Sequence, residues 1–450
     1  MFNPAIYKSY DIRGIVPDEF DPAEAYHIGR AYAQYIGLPA GRQGARTVVV
    51  ARDMRPSGEQ ILPELLCGLT EGGVDVVNIE LATTPLLYFA VHHLHSDGGL
   101  MITASHNPAQ YNGVKMTREQ AIPIGLDSGL AQIRDLVQRR GWSTVERTGT
   151  VRRAHVNEAY LDLVTRDVDA SGFTIVVDAG NGMAGLLLPG YFKRVGGKAI
   201  PLYWELDGTF PHHEADPLKV ENLRDVQAAV REHSADLGVA FDGDGDRIFF
   251  VTERGAIVPG DITTALIAKE VLKEHPGALI LYNVSSSRAT REVIEEAGGR
   301  VEMTKVGHSN IKAHMRKSGA VFAGETSGHF FFTPWYAESG LLALGYVARL
   351  MKEKGQQLSE LVAPMMRYAK TAEINFEVRD KEVVLARIRE QYADAQILEL
   401  DGVSVMYPAW WANVRPSNTE PLLRLNMEAN TPELLAAKQN EIEALIRGGT

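Results

Sequence analysis

Residues 99–108 read GLMITASHNP, a short apolar run that stops at a compact polar loop. The pattern returns at 238–247 as GVAFDGDGDR and at 320–329 as AVFAGETSGH. The three copies are too far apart for a short-period solenoid. They fit three related α/β domains, each placing a loop at a strand's C-terminal end, where open α/β sheets hold ligands. The flanking sequence agrees. Thr47–Val50, Val74–Ile79, Thr174–Val177, Leu237–Phe241 and Ala278–Tyr282 are apolar, β-rich runs, and amphipathic stretches such as ILPELLCGLTEGG lie between them. That strand–loop–helix rhythm predicts mainly parallel sheets. From Thr371 the pattern changes to alternating strand residues and then a helix, TAEINFEVRDKEVVLARIREQYADA. It reads as a smaller α+β unit with an antiparallel sheet. The expected division is 1–150, 151–252, 253–367 and 368–450, three mixed α/β domains and a C-terminal α+β domain.

Composition narrows the function. The 450 residues carry 46 Lys and Arg against 57 Asp and Glu, a net charge of −11. No Lys/Arg run exceeds two residues, so a general nucleic-acid surface is not expected. Cys67 is the one cysteine, which excludes an internal disulfide, a zinc ribbon and a Cys-ligated iron–sulfur cluster. No apolar run approaches the roughly 18–20 residues of a membrane span. MFNPAIYKSYDIRG lacks the basic and apolar regions of a signal peptide. A cytoplasmic protein that engages neither membrane nor nucleic acid is expected.

The loops carry the chemistry. In Asp242–Arg247, D-G-D-G-D-R, three carboxylates alternate with glycines. A tight loop can converge these hard oxygens on one divalent cation, and Mg²⁺ suits them. An EF-hand would share the Asp242, Asp244, Asp246 spacing, but it needs glycine where Arg247 stands. The following IFFVT also reads as strand. Arg247 beside three carboxylates makes sense if a phosphate shares the site. In T-A-S-H-N-P, Ser105 lies in a loop closed by an Asn-Pro turn, near His106 and Lys115. It lacks the G-x-S-x-G elbow of a serine hydrolase and fits a phosphoryl carrier beside a metal loop. Glu325 and Ser327 in G-E-T-S-G-H would share a face of an extended segment and could grip vicinal sugar hydroxyls. Arg415–Pro421, R-P-S-N-T-E-P, offers a cation, hydroxyls and an amide as a phosphate cradle. A competing signal is Gly180–Gly185, a G-x-G-x-x-G after a strand with Glu205 twenty residues beyond it. It would make the chain an NAD-dependent oxidoreductase, but that reading leaves the Ser105 and triple-aspartate loops unused.

Taken together, the motifs resemble one family, the α-D-phosphohexomutases. Y-D-I-R-G at Tyr10–Gly14, T-A-S-H-N-P, D-G-D-G-D-R, G-E-x-S-G-H and R-x-S-N-T-E-P stand in the family's order. YNGVKM at 111–116, DGTFPHHEADP at 207–217 and VGHSNIK at 306–312 agree. The resemblance implies four domains around a central cleft. By motif match, Ser105 is expected to be the phosphoserine, with Asp242, Asp244 and Asp246 holding Mg²⁺ and phosphorylated Ser105 adding an oxygen. Glu325, Ser327, His329 and Tyr10 are expected on the sugar. Arg415, Ser417, Asn418 and Thr419 are expected on the non-reacting phosphate. Arg13, Lys115, Arg247 and His308 fall where the family places basic catalytic residues, and Lys115 and His308 are both candidate bases.

Electrostatics requires such cations. Three aspartates, a phosphoserine near −2 and a sugar phosphate near −2 leave about −5 after one Mg²⁺, so Arg and Lys must converge.

The implied reaction interconverts hexose 1- and 6-phosphates through a bound hexose 1,6-bisphosphate. The flanking motifs lean toward the phosphomannomutase/phosphoglucomutase group, acting on mannose and also glucose phosphates. The alternative is a phosphoglucosamine mutase, because the subgroup-variable residue of the sugar loop is Thr326, neither Met nor Gln. Two further departures are Ala51, where the family often has glycine, and Ser285, where some members have lysine; Arg288 stands nearby as a substitute cation. A monomer or homodimer is expected.

Overall fold

A computed structural model describes residues 2–37, 46–417 and 422–448. The chain forms two compact units. The first is residues 1–258 with 329–359, and the second is 259–328 with 360–450.

The first unit holds two sheets. One orders its strands Ile12–Ile15, Tyr111–Arg118, Gly98–Ile102, Thr47–Arg52, Asp75–Leu81 and Val151–Arg153. Its centre is parallel, and the strands from Gly98 and Thr47 pair in register from Val48↔Gly98 to Arg52↔Ile102. Val48, Val50, Leu100 and Ile102 pack with apolar residues of the helices Glu24–Gly37, Gly58–Glu71 and Leu130–Arg139. Gly99, one step out of phase, faces Val91 of the helix Thr84–His93. Both faces are therefore covered, which is why TVVV is an unbroken apolar run rather than an alternating one.

The second sheet runs Ile257–Val258, Ile248–Thr252, Leu237–Phe241, Thr174–Asp178 and Lys198–Leu202. Its core joins Val176, Ala240 and Val251 to Leu223, Val226, Ala229 and Val230. Phe330–Phe332 and Ala337–Glu338 form an antiparallel hairpin in this unit, followed by the helix Gly340–Lys354.

Two loops differ from the expected strand–loop–helix order. Gly98–Ile102 and Leu237–Phe241 each lead through their loop into an antiparallel neighbour, Tyr111–Arg118 and Ile248–Thr252. A hairpin needs no crossover helix, so the Ser105 and Asp242–Arg247 loops are strand-to-strand connections. IFFVT is a strand, as expected.

In the second unit, Arg300–Thr304, Leu279–Asn283 and Phe322–Gly324 pair in parallel. An antiparallel sheet follows, from Ala369–Lys370 through Leu422–Ala429, Trp410–Pro416 and Val403–Met406 to Gln396–Leu398, with Ile374–Glu377 also on Leu422–Ala429. The helices Lys381–Gln391 and Pro432–Arg447 share its core. The fold is thus the expected α/β architecture with a C-terminal α+β sheet.

Candidate active site

The serine loop is built from the backbone outward. Thr103 Oγ1 accepts from the Ser105 N–H at 2.9 Å and donates to Asp53 Oδ2 at 2.7 Å. Ser105 itself is left-handed, with φ +51°. Its β-carbon makes that conformation cost about 1–2 kcal/mol, so the surroundings must hold it. The result aims its hydroxyl inward, donating to Asp242 Oδ2 at 2.9 Å.

Asp242, Asp244 and Asp246 are buried, and their ligand atoms lie within 4.8 Å of one another. The two glycines between them serve different needs. Gly245 takes φ +72°, as a tight turn requires. Gly243 has no positive φ; a Cβ there would stand 2.5 Å from the Ser105 carbonyl oxygen. The spacing therefore achieves close approach between the two loops as well as a turn.

Lys115 reaches the triad from the strand paired with the one that carries the serine loop, Met101↔Lys115. Its Nζ donates at 2.7 Å to both Asp244 Oδ2 and Asp246 Oδ2. Thr84 adds its hydroxyl to Asp244 Oδ2 at 2.6 Å and its N–H to the Asp244 carbonyl. Asp244 Oδ1 is left buried with no hydrogen-bond donor. Hard carboxylate oxygens in such a cluster, one of them orphaned, fit a divalent cation.

Burial, then Asp246 and Asp244, push the Asp242 carboxyl well above its ordinary value. Burial works the same way on Asp246, but Lys115 and His329 overcome it and hold that carboxyl well down. Burial opposes the Lys115 ammonium, yet Asp244 and Asp246 raise it well above the lysine range.

The other cations surround this cluster. The Arg247 N–H donates to Asp242 Oδ1 at 3.1 Å, and its Nε lies 3.3 Å from His329 Nε2. His329 Nε2 also stands 3.2 Å from Asp246 Oδ1. Arg13 holds Asn107 Oδ1 and Asp11 Oδ2, each at 2.5 Å, and Tyr10 sits in the bend before its strand. Arg247 Nη1 and Arg13 Nε are buried donors with no partner, as an anion site would leave them. His106 Nδ1 lies 3.3 Å from Ser105 Oγ. Burial, then Arg247 and Arg13, push its pKa well below the ordinary value, leaving a neutral ring. The first unit thus brings together Arg13, Ser105, Lys115, the three aspartates, Arg247 and His329.

The second unit holds the rest. Glu325 Oε1 accepts from the Gly307 N–H at 2.8 Å, beside His308, which starts the helix His308–Ser318. The segment 325–328 is a turn, closed by Gly328 N to Glu325 O, and not the extended strand expected. Ser327 Oγ still reaches Glu325 Oε2 at 3.3 Å, so the pair meets through the turn. Thr326 Oγ1 is 3.2 Å from Ser285 Oγ, so two of the departures from the family pattern touch each other. Arg288 is no substitute for a lysine at 285. Its guanidinium is spent on the carbonyls of Tyr407, Pro408 and Trp410.

Arg415 ends a central strand of the last sheet, where it pairs in register with Arg424. Glu373 holds both, at 2.6 and 3.0 Å, and also accepts from Asn426. Arg415 Nε is buried without a partner. Ser417 N–H donates to Leu422 O at 2.8 Å. Asn418 and Thr419 lie outside the described residues.

Sequence reasoning missed Asp53, Arg55, Thr84, Thr103, Glu373 and Arg424. Thr103 lies inside T-A-S-H-N-P; the others carry no local signal.

The glycines of G-x-G-x-x-G are used internally. A Cβ at Gly182 would stand 2.9 Å from Gly243 O, and one at Gly185 would stand 2.0 Å from Trp204 O. The Met183 N–H already donates to Gly243 O at 2.9 Å. The turn buttresses the metal loop, so its glycines are accounted for by backbone packing and need no dinucleotide.

Comparison with known proteins agrees with this geometry. The family models for phosphoglucomutase/phosphomannomutase match domain I at 5–143, domain II at 157–255, domain III at 259–368 and the C-terminal domain at 373–445. The phosphomannomutase of Escherichia coli is 38% identical, with 98% of this chain and 99% of that protein covered. The phosphomannomutase/phosphoglucomutase of Pseudomonas syringae is 38% identical over 98% of this chain and 95% of its own. A phosphoglucomutase/phosphomannomutase family protein from Burkholderia thailandensis superposes with a TM-score of 0.91 at 34% identity, covering 100% of this chain and 98% of its own.

The chain belongs to the phosphoglucomutase/phosphomannomutase family. It is an enzyme, an isomerase of the phosphohexomutase class, and hexose phosphates are its substrates. Among the described residues, no helix is long and apolar enough to cross a membrane.

Proposed function

We propose that this chain interconverts mannose 1-phosphate and mannose 6-phosphate, and accepts the glucose phosphates, with Ser105 as the phosphoryl carrier. The observation that carries the reading is the 2.9 Å hydrogen bond from Ser105 Oγ to Asp242, inside a cluster of three carboxylates ringed by Arg13, Lys115, Arg247 and His329. The substrate assignment is supported by the relatives named phosphomannomutase and phosphomannomutase/phosphoglucomutase.

In the forward half-reaction, the bond between Ser105 Oγ and phosphorus breaks while one forms to the free C1 or C6 hydroxyl. The product is a bound hexose 1,6-bisphosphate. Of the two candidate bases, Lys115 is held as an ammonium by Asp244 and Asp246 and accepts no proton in this state, so the hydroxyl proton passes to His308. In the return half-reaction the other phosphoryl group moves to Ser105, and the hydroxyl it leaves recovers a proton. Arg247 and Arg13 present buried donors to the charge on the moving group. Glu325 and Ser327 orient the sugar hydroxyls, and His329 and Tyr10 also contact the sugar. Arg415, Ser417, Asn418 and Thr419 hold the phosphate that does not react. Asp242, Asp244, Asp246 and an oxygen on phosphorylated Ser105 would hold Mg²⁺, which would supply Lewis-acid stabilisation of the transferring phosphoryl group. The four-domain division 1–150, 151–252, 253–367 and 368–450 belongs to this reading.

The test is a coupled assay with Mg²⁺ and a trace of hexose 1,6-bisphosphate. Mannose, glucose and glucosamine 1-phosphates are run side by side. Turnover of mannose 1-phosphate, alone or with glucose 1-phosphate, is expected. Turnover of the glucosamine compound alone would replace the substrate and keep the chemistry.

A further inference from the structure

Among the described residues, Arg55 is the largest fully buried side chain, with no solvent exposure, and its hydrogen bonds go to none of the three metal-loop aspartates. Its guanidinium has five N–H donors, and five acceptors meet them. Nε donates to Asp53 Oδ2 at 3.2 Å. Nη1 donates to the carbonyls of Pro108 at 2.7 Å and Tyr111 at 2.9 Å. Nη2 donates to the carbonyls of Ser105 at 2.8 Å and Asn107 at 2.6 Å. Three of the five acceptors are therefore backbone oxygens of the loop that carries Ser105, and a fourth, Tyr111 O, opens the strand that follows it.

The same aspartate fixes the other side of that loop. Asp53 Oδ2 accepts from Thr103 Oγ1, which in turn accepts the Ser105 N–H. Ser105 is thus held at both its N–H and its carbonyl by one Asp53–Arg55 pair. Its left-handed backbone is disfavoured by its own β-carbon, so something outside the residue must impose it. The outer face of the guanidinium is closed by the Phe210 ring, 5.1 Å away, on the loop whose Ala215 carbonyl accepts from Gly243 of the metal loop.

We infer that Arg55 is the positioning residue of the phosphoryl carrier. Through Asp53 and Thr103 it imposes the left-handed turn that presents Ser105 Oγ to the metal loop. The inference rests on Ser105 being the carrier. Arg55 acts on the rate of transfer and not on sugar affinity, because its guanidinium meets Asp53, the Phe210 ring and backbone carbonyls from Ser105 to Tyr111, and none of the residues assigned to the sugar. Lysine keeps the charge but has three donors on one atom, so it cannot span the four carbonyls.

The experiment measures single-turnover transfer from enzyme phosphorylated with glucose 1,6-bisphosphate to mannose 1-phosphate. Rates are normalised to phosphoserine counted by intact mass. Arg55→Lys, Thr103→Val and Thr103→Ser are compared with wild type, with thermal unfolding alongside. Misplacing a reacting group by about 1 Å costs on the order of 100-fold. Arg55→Lys and Thr103→Val are expected to slow transfer per phosphorylated site by about that factor while KM stays within about twofold. Thr103→Ser, which keeps the hydroxyl, is expected to recover most of the rate. Should Arg55→Lys not fold, the Thr103 pair decides alone. Variants that melt earlier but transfer at the wild-type rate per site overturn the inference, as does a change confined to KM. A wild-type enzyme that turns over without phosphate on Ser105 removes the carrier assignment, and the inference with it.

Discussion

Replacing Lys115 with methionine removes the cation shared by two of three buried carboxylates. The Lys115 ammonium sits 2.7 Å from both Asp244 Oδ2 and Asp246 Oδ2, with its side chain 7% exposed. Without metal, the variant can relieve the charge only by keeping one further carboxyl protonated. From an ordinary aspartate value near 3.9, that costs about 4 kcal/mol at pH 7. Breaking a buried pair by deleting one partner costs about 3–5 kcal/mol, so the two routes agree. The first unit has roughly 290 residues, which turns this into a fall in Tm of about 5–8 °C at pH 7. The sign with pH is fixed. The variant's folded state binds the extra proton, so its deficit shrinks as pH falls, to about 1.5 kcal/mol and about 2–3 °C at pH 5. Mg²⁺ would supply the missing positive charge and should raise Tm more in the variant than in wild type. The assay is thermal unfolding in EDTA and in Mg²⁺ at both pH values. A variant within about 1 °C of wild type in EDTA at pH 7, or one whose deficit grows toward pH 5, would refute the charge-balance argument.

Three more outcomes follow from particular contacts. Gly243→Ala places a methyl 2.5 Å from the Ser105 carbonyl; mutase activity should fall at least about tenfold, with a misplacement cost of up to ~100-fold, whereas Gly37→Ala, with nothing near its Cβ and no positive φ, should leave activity unchanged. His213 Nε2 lies 3.0 Å from Asp178 Oδ2; burial lowers its pKa, but that carboxylate outweighs burial and raises it. The stabilisation lost in His213→Gln should therefore be full below about pH 6.5 and fade as pH rises through the elevated folded value, and a loss that grows with pH in urea unfolding would contradict the assignment. Removing divalent cations with EDTA should abolish turnover, and adding Mg²⁺ back should restore it, as read in the coupled assay; turnover that persists in EDTA would contradict the metal assignment of Asp242, Asp244 and Asp246.

The parts of the site that sequence made legible are those where a short loop carries its own chemistry. Asp242–Arg247 places carboxylates and glycines, and Thr103–Pro108 places hydroxyls, a histidine and an Asn-Pro turn, within six positions each, so their spacing alone points to convergence. Arg55 left no such trace, because four of its acceptors are backbone carbonyls about fifty residues away, and a carbonyl is present whatever the side chain. Thr84 likewise meets Asp244 across 160 residues. The Glu373–Arg415–Arg424 group depends on the register of antiparallel strands, which local sequence does not set. In the fold, apolar runs marked the buried strands well, since two covered faces demand unbroken Val and Ile. They did not mark strand direction, because a hairpin and a crossover strand can share one apolar pattern. That is why the serine and metal loops read as strand-to-helix turns and are strand-to-strand turns.

The central claim is that Ser105 carries the phosphoryl group. The direct measurement is intact-mass and peptide mapping of the protein after exposure to glucose 1,6-bisphosphate, followed by a chase with mannose 1-phosphate. The account predicts one phosphate, on Ser105, that leaves on the chase as a hexose bisphosphate, and a Ser105→Ala protein that folds, takes up none and does not turn over. Steady mutase turnover by Ser105→Ala, or a transferable phosphate on any other residue, would contradict it.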